Sequence, residues 1–254
     1  MRIGLISDIH GNLLALDSVL ANLDRLKIDS TVCLGDVTAT GPRPHEVLNR
    51  LRSRNIPSVM GNRDEYLLNI SEEQQSLHKS SGNDYSTRVR EIDHWCRSKM
   101  SEEDIRYIRN FPDTLSIPIG SKSTESLFCF HGSPKSNTDS ITSTTPEDEL
   151  SLKLAGRENR MTIMIGGHTH VQMFRKLGQS AIINPGSVGQ AIEYVGASLH
   201  ARRIPWADYG IIECNENGAL QRIELARSYL EPSEVLRDAV DSGMPHAEWW
   251  AERK

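Results

Sequence analysis

The chain has 254 residues, 25% charged and 37% hydrophobic, and a formal net charge of −5. That length and balance suit one large soluble α/β domain. They give no basic footprint for nucleic acid, and no apolar run approaches the roughly 20 residues of a membrane span. The first residues enter a strand directly, leaving no room for a signal peptide. Cys33, Cys96, Cys129 and Cys214 are scattered without C-x-x-C spacing. Read as reduced, buried thiols, they predict a cytoplasmic protein.

In chain order, a short apolar run ends at Asp8-Ile9-His10 and is followed by helical spacing over residues 13–26. If the segment is extended, Asp8 and His10 project to one side. They then sit on a strand-to-helix turn, where open α/β sheets place ligands. Residues 30–34 repeat the pattern and end in Gly35-Asp36. A loop with Gly41, Pro42 and Pro44 leads to a helix over residues 45–54. A third strand over residues 56–60 closes on Gly61-Asn62-Arg63-Asp64. Asp36 alone could be a cap or turn residue. Three consecutive strand ends closing on polar side chains instead predict a layered α/β fold with its site along one sheet edge.

Residues 65–111 are polar and helix-favouring, a helical excursion that caps or flanks the site, with Trp95, Ile105, Tyr107 and Ile108 as anchors. Its loop falls around residues 80–83, Ser101 to Asp104 reads as a capping box, and His78 and His94 read as surface or half-buried histidines. The sheet resumes over residues 114–119 and 126–130, the latter closing on His131. Residues 136–145, rich in Ser and Thr, read as a mobile loop before a helix over 146–154. A fifth strand over residues 161–165 ends in Gly166-Gly167-His168-Thr169-His170. A hairpin (174–177 with 181–183), a glycine-rich turn (184–189) and a long irregular segment (190–205) follow. A terminal hairpin pairs residues 206–213 with 219–225. The expected division is a domain over 1–230 and a tail over 231–254. The tail's Trp249 and Trp250 could dock on the domain or on a second subunit, which leaves a homo-oligomer open.

Collected, the strand-end residues are Asp8, His10, Asp36, Asn62, His131, His168 and His170. Two carboxylates, one amide oxygen and four imidazoles exceed the needs of one tetrahedral ion and suit two adjacent divalent ions. The order Asp-x-His, Gly-Asp, Gly-Asn-x-Asp, His, Gly-His-x-His resembles the calcineurin-like metallophosphoesterase superfamily. The Asn184-Pro185-Gly186-Ser187 turn resembles its small bacterial phosphodiesterase-like branch. This resemblance implies a four-layer αββα sandwich with a binuclear centre at one sheet edge. By motif position, Asp8, His10 and His170 would hold one ion, Asn62, His131 and His168 the other, and Asp36 would bridge. The implied reaction is in-line attack on phosphorus by a hydroxide held between the ions.

Arg63 departs from the pattern of the best-known members, which carry at this position a histidine that helps protonate the leaving group. A guanidinium cannot serve as that acid at neutral pH. Arg63 could bind a phosphate oxygen or form a salt bridge with Asp64 or Glu65. His45 is a candidate alternative proton source, and an ordinary helix-start residue otherwise. Without the acid, the expectation tilts toward phosphodiesters or aryl phosphates. The alternatives are a phosphomonoesterase (a serine/threonine protein or nucleotide phosphatase) and, from another class, a non-catalytic metal-binding scaffold. Mixed N and O ligands admit manganese, the first expectation, or iron, zinc, cobalt or nickel. The expected partner is a phosphate-ester substrate, with no membrane and no dedicated nucleic-acid surface.

Overall fold

The computed structural model describes residues 1–70, 85–120, 126–155, 163–178, 180–195 and 200–252. The chain opens with β1 (Arg2–Ile6), α1 (Leu13–Arg25), β2 (Ser30–Cys33) and α2 (Pro44–Ser53). Three helices follow, α3 (Asn62–Asn69), α4 (Tyr85–Lys99) and α5 (Glu102–Arg109), then β3 (Thr114–Pro118), β4 (Ser126–Phe130) and α6 (Glu147–Leu154). Next come β5 (Ile163–Ile165), β6 (Met173–Leu177), β7 (Ser180–Asn184), β8 (Ile192–Val195) and β9 (His200–Arg203). The long strands β10 (Trp206–Cys214) and β11 (Leu220–Tyr229) precede α7 (Pro232–Asp241) and α8 (Ala247–Glu252).

Two mixed sheets stack face to face, one ordered β11-β10-β1-β2 and the other β3-β4-β5-β7-β6. β1 pairs in parallel with β2 across α1, and β5 lies parallel to both β4 and β7. Parallel pairing with helical crossovers buries both strand faces, which is why these segments read as unbroken apolar runs. Three apolar cores separate four layers. Alternate residues Ile3 and Leu5 of β1 meet Leu127, Cys129 and Ile165 between the sheets. Ile6 and Cys33 point outward into the helices, against Leu16, Leu20 and Leu48. On the far side Phe128, Phe130, Met164 and Ile182 are covered by Ile141 and by Leu150 and Leu154 of α6. The result is the αββα sandwich that the family resemblance implied.

The helix starts follow local chemistry. Asn12 caps α1, its Oδ1 accepting from the Ala15 amide at 3.1 Å, and the buried face of Ala15, Leu16, Val19, Leu20 and Leu23 follows helical spacing. The capping box at Ser101 is present: Asp104 Oδ2 accepts from the Ser101 amide at 2.8 Å, and Ser101 Oγ accepts from Asp104 N at 3.2 Å. In the excursion, Leu67, Ile92, Cys96, Ile105 and Ile108 join the core outside the first sheet, with Trp95 and Tyr107 packed at its margin. His78 and the 80–83 loop lie outside the described residues, as does the start of the run expected at 161–165.

Three segments differ from expectation. Residues 56–60 make only a single parallel bridge, Cys33 with Ser58, and Pro57 has no N–H for a longer ladder. Residues 190–205 are not irregular throughout. Strands β8 and β9 pair antiparallel, with Glu193 directly opposite Arg202 and the two side chains joined in an ion pair. The His200-Ala201-Arg202-Arg203 strand has no apolar pattern, which hid the pairing. Residues 136–145 form turns held by hydroxyls: Ser133 Oγ accepts from the amides of Lys135 and Ser136, both at 3.1 Å, and Thr145 Oγ1 from Thr142 N at 2.9 Å. Residues from 231 onward form two helices on the outside of the first sheet, with Trp250 fully buried.

Candidate metal centre

All seven strand-end residues converge at one edge of the two sheets, but not by strand alternation. β1 ends at Ile6, and Asp8 and His10 adopt φ of 53° and 48°. Asp36, His168 and His170 are also left-handed, at 52°, 70° and 61°. Among the described residues ten non-glycine residues have positive φ, and these five account for half of them. Left-handed backbone is costly for residues with a Cβ and persists where surrounding structure enforces it. Here each strand end turns sharply so that its carboxylate or imidazole faces the next. Two glycines permit the close approach. A Cβ on Gly61 would lie 2.1 Å from Asp36 N, and one on Gly167 would lie 2.1 Å from Ser7 Oγ.

Two groups of side chains share the centre, Asp8 with His10 and His170, and Asp8 with Asp36 and His131. Asp8 Oδ1 is 3.3 Å from His170 Nε2 and 3.9 Å from His131 Nε2. Asp36 Oδ2 is 3.5 Å from His131 Nε2 and 3.9 Å from His10 Nε2. Both carboxylates therefore stand between the two groups. Asn62 Oδ1 lies 3.0 Å from His131 Nε2 and 2.9 Å from His168 Nδ1, bringing the last two residues into the second group.

Backbone carbonyls select the imidazole nitrogen that faces inward. His10 Nδ1 is 3.0 Å from Ala39 O, His131 Nδ1 2.6 Å from Leu34 O, and His170 Nδ1 2.9 Å from Gln190 O. A carbonyl only accepts, so each Nδ1 carries the hydrogen, and a ring without a second proton presents its Nε2 lone pair inward. His10 Nε2 and His170 Nε2 are then 3.0 Å apart with lone pairs opposed. A cation or proton between them removes the repulsion. Asp8 Oδ1 is buried without a hydrogen-bond partner, an arrangement that is costly unless a cation is bound. The donor set, imidazole nitrogen with carboxylate and amide oxygen, fits divalent transition ions.

The electrostatics differ from one ring to the next. Burial, then the neighbouring His170, pushes His10 down to about 3, keeping its ring neutral. Burial opposes the charged form of His131, but Asp36 and Asp8 outweigh it and raise His131 to about 10. Burial works against ionisation of Asp8 and Asp36 as well, yet the surrounding histidines hold both below the ordinary carboxylate range. The four cysteines are buried, and burial pushes Cys33, Cys96 and Cys129 up to about 12, which makes them core thiols rather than ligands.

The other three candidates are placed differently. The Arg63 guanidinium pairs with Asp93 of α4 and stacks over Tyr66, while its backbone N–H donates to Asp36 Oδ1 at 2.8 Å. The salt-bridge partner is thus Asp93, not Asp64 or Glu65. Asp64 is fully buried and accepts from the Val37 and Gly61 amides at 2.9 and 3.3 Å, bracing the loops that carry Asp36 and Asn62. Burial, with the nearby Asp36, raises it to about 7. His45 is not brought to the cluster: Nδ1 is 2.7 Å from Asp104 Oδ2 and Nε2 is 2.8 Å from Asn49 Nδ2.

Residues that sequence reading passed over complete the frame. Ser7 Oγ donates to Asp8 Oδ2 at 2.5 Å, and the His168 amide donates to the same oxygen at 3.0 Å. Ser187 Oγ donates to Asp8 O at 2.7 Å, and Asn184 Nδ2 donates to Gly167 O at 2.7 Å. The glycine-rich turn at 184–189 was the signal for the last two, though it did not say what they bind. Beside His168 and His170, a cavity of about 460 Å³ is lined by Ile141, Thr142, Thr169, Val171, Met173 and Tyr194. Both histidines and Asn62 are half-buried, whereas Asp8, His10, Asp36 and His131 are buried, so the centre opens on the face that carries Asn62, His168 and His170.

The family model of the calcineurin-like phosphoesterase superfamily domain matches residues 1–201. The chain belongs to that superfamily. Its members are metal-dependent hydrolases of phosphate esters. An uncharacterised protein of Methanocaldococcus jannaschii is 26% identical over 269 residues, covering 99% of this chain and 96% of the relative. A metallophosphoesterase from Sphaerobacter thermophilus is 25% identical, with a TM-score of 0.69 over 100% of this chain and 98% of its own. A hypothetical protein from Pyrococcus horikoshii shares the fold, with 15% identity and a TM-score of 0.74 over 98% of this chain and 97% of its own. Among the described residues no helix is long and apolar enough to cross a membrane.

Proposed function

We propose that this chain is a two-metal phosphodiesterase acting on phosphodiesters and aryl phosphates with organic leaving groups. The observation that carries the reading is the convergence of His10 Nε2 and His170 Nε2, 3.0 Å apart, beside an Asp8 Oδ1 that is buried without a hydrogen-bond partner. Asp8, His10 and His170 would hold one ion, Asn62, His131 and His168 the other, with Asp36 and Asp8 positioned between them. When bound, such ions supply Lewis acidity for the phosphate oxygens and a nucleophile at neutral pH. Manganese is our first assignment among the ions that mixed N and O ligands admit, with availability deciding.

The protein's own work is positional. Backbone carbonyls hold the histidine tautomers, and Ser7, Ser187 and the His168 amide fix the Asp8 carboxylate and its peptide. The Arg63–Asp93 pair leaves position 63 without a proton donor, so a leaving group of low basicity is favoured. The cavity at Tyr194 would receive an apolar or aromatic part of that substrate.

The test is hydrolysis of bis-p-nitrophenyl phosphate beside p-nitrophenyl phosphate by metal-stripped protein refilled with manganese, with Asp36→Asn as control. Faster turnover of the diester, abolished in the variant, is the expected outcome. Preference for the monoester would replace the reading with a phosphomonoesterase. Two bound ions without turnover of either ester, or of a wider phosphate-ester screen, would point to a metal-binding scaffold.

A further inference from the structure

The family match ends at residue 201, yet a side chain 49 positions later reaches the metal centre's frame. Trp250 of α8 is fully buried, and its Nε1–H donates to Thr40 O at 2.5 Å. Thr40 is β-branched and left-handed at φ 62°, a conformation that needs external support. Its carbonyl takes a second donor, Gln190 Nε2 at 3.0 Å, and its hydroxyl lies 2.9 Å from both Gln190 Nε2 and His10 Nδ1. The same hydroxyl donates to Ala39 O at 2.6 Å, the carbonyl that receives His10 Nδ1–H. Gln190 O in turn is 2.9 Å from His170 Nδ1. Arg203 ties the helix in place: it donates to Trp250 O at 2.6 Å and to Gly189 O at 3.1 Å, with its guanidinium 4.7 Å from the centre of a Trp250 ring.

We infer that Trp250 is a positioning residue of the metal centre, setting the His10 and His170 imidazoles through Thr40 and Gln190. The inference rests on the metal-centre reading above. The two imidazoles that oppose each other at 3.0 Å are held by one hydrogen-bonded unit, and the C-terminal helix is one of its fixed ends. Removing the indole N–H leaves the Thr40 carbonyl with one donor and relaxes the strained residue that orients His10. Groups that fix ligand histidines typically alter metal affinity by 10–100-fold when changed.

The experiment compares Trp250→Phe, which keeps an aromatic ring and deletes the donor, with Met244→Ala. Met244 is buried in the same C-terminal segment, so its truncation supplies a loss of stability from this region. Metal-stripped proteins are titrated with manganese by calorimetry, and Tm is measured without metal. For Trp250→Phe, binding of at least one ion should weaken about tenfold. Turnover should fall at limiting manganese and recover at saturation. Met244→Ala should bind as the unaltered chain does at an equal or larger loss of Tm. Unchanged affinity in Trp250→Phe, or equal weakening in both variants in step with Tm, would overturn the inference and leave the metal centre standing. No manganese binding by the unaltered chain would overturn both.

Discussion

The two outer layers of the sandwich are built to different depths, and the candidate ligands between them differ in exposure. Outside the β11-β10-β1-β2 sheet, helices from both ends of the chain pack into one continuous core that runs from Leu16 through Ile92 and Ile108 to Trp250. Outside the second sheet, cover among the described residues comes from α6 and Ile141. Among the candidate ligands, Asp8, His10 and Asp36 from the first sheet and His131 from β4 are at most 4% exposed, whereas Asn62 and, at the end of β5, His168 and His170 are half-buried. The buried group sets the charge and geometry of the centre, and the half-buried group stands at its open face. A thick layer can hold left-handed backbone at several ligands because many packed contacts oppose its relaxation.

The largest break in that comparison is expected on the first side. Asp8→Asn removes the charge shared by both groups of ligands, and activity should fall by more than about 100-fold, since even supporting residues cost 10–100-fold. Manganese titration and steady-state rates together check this; a smaller loss would mean that Asp36 alone can serve both ions. Next comes Gly61→Ala. Its Cβ would meet Asp36 N at 2.1 Å and Asp36 Oδ1 at 2.2 Å, and backbone cannot give way cheaply. A loss of about 1–3 kcal/mol in urea unfolding is expected, together with weaker metal binding.

On the open side the effects should be milder and fall on substrate rather than metal. Tyr194 is 52% exposed at the cavity beside His168 and His170. Tyr194→Ala should raise KM for an aryl diester several-fold and leave manganese affinity as it was. A fall in kcat with constant KM would remove the cavity from the substrate's path.

Away from the centre, a pH effect concerns Asp208 of β10, fully buried with Arg227 Nε 3.0 Å from its Oδ1. Burial raises this carboxyl to about 7, and Arg227 only partly offsets it. Between its ordinary value of 3.8 and about 7 the folded state binds the extra proton, so Asp208 makes stability fall as pH rises through that window. Asp208→Asn should flatten that fall, and urea midpoints at pH 5 and pH 8 measure it. An unchanged slope would show that the carboxylate ionises as readily in the folded chain as in the unfolded one.

Much of the fold was legible because parallel strands buried on both faces leave continuous apolar runs, and each run here ends in a polar motif. The seven candidate ligands were legible for the same reason, since a strand end is a place where a carboxylate or imidazole has little structural excuse. Less legible were segments whose pairing owes nothing to hydrophobic pattern. The β8–β9 hairpin rests on backbone pairing and the Glu193–Arg202 pair, and residues 56–60 shrank to one bridge at Ser58, next to Pro57. Arg63 was recognisable as unable to donate a proton, but its partner Asp93 lies 30 residues away on another helix.

By itself, then, the order of residues determined the layered α/β class, the strand-end placement of Asp8, His10, Asp36, Asn62, His131, His168 and His170, and the absence of an acid at position 63. Those follow from local pattern and side-chain chemistry. Only the tertiary structure decided that left-handed turns rather than strand alternation aim the ligands, that carbonyls of Leu34, Ala39 and Gln190 choose the imidazole nitrogens, and that Trp250 anchors Thr40. Each of these is a contact between residues that are distant in the chain or a backbone state imposed by such contacts. Neither leaves a periodic trace in the sequence, because a carbonyl can accept a hydrogen bond whatever side chain it carries.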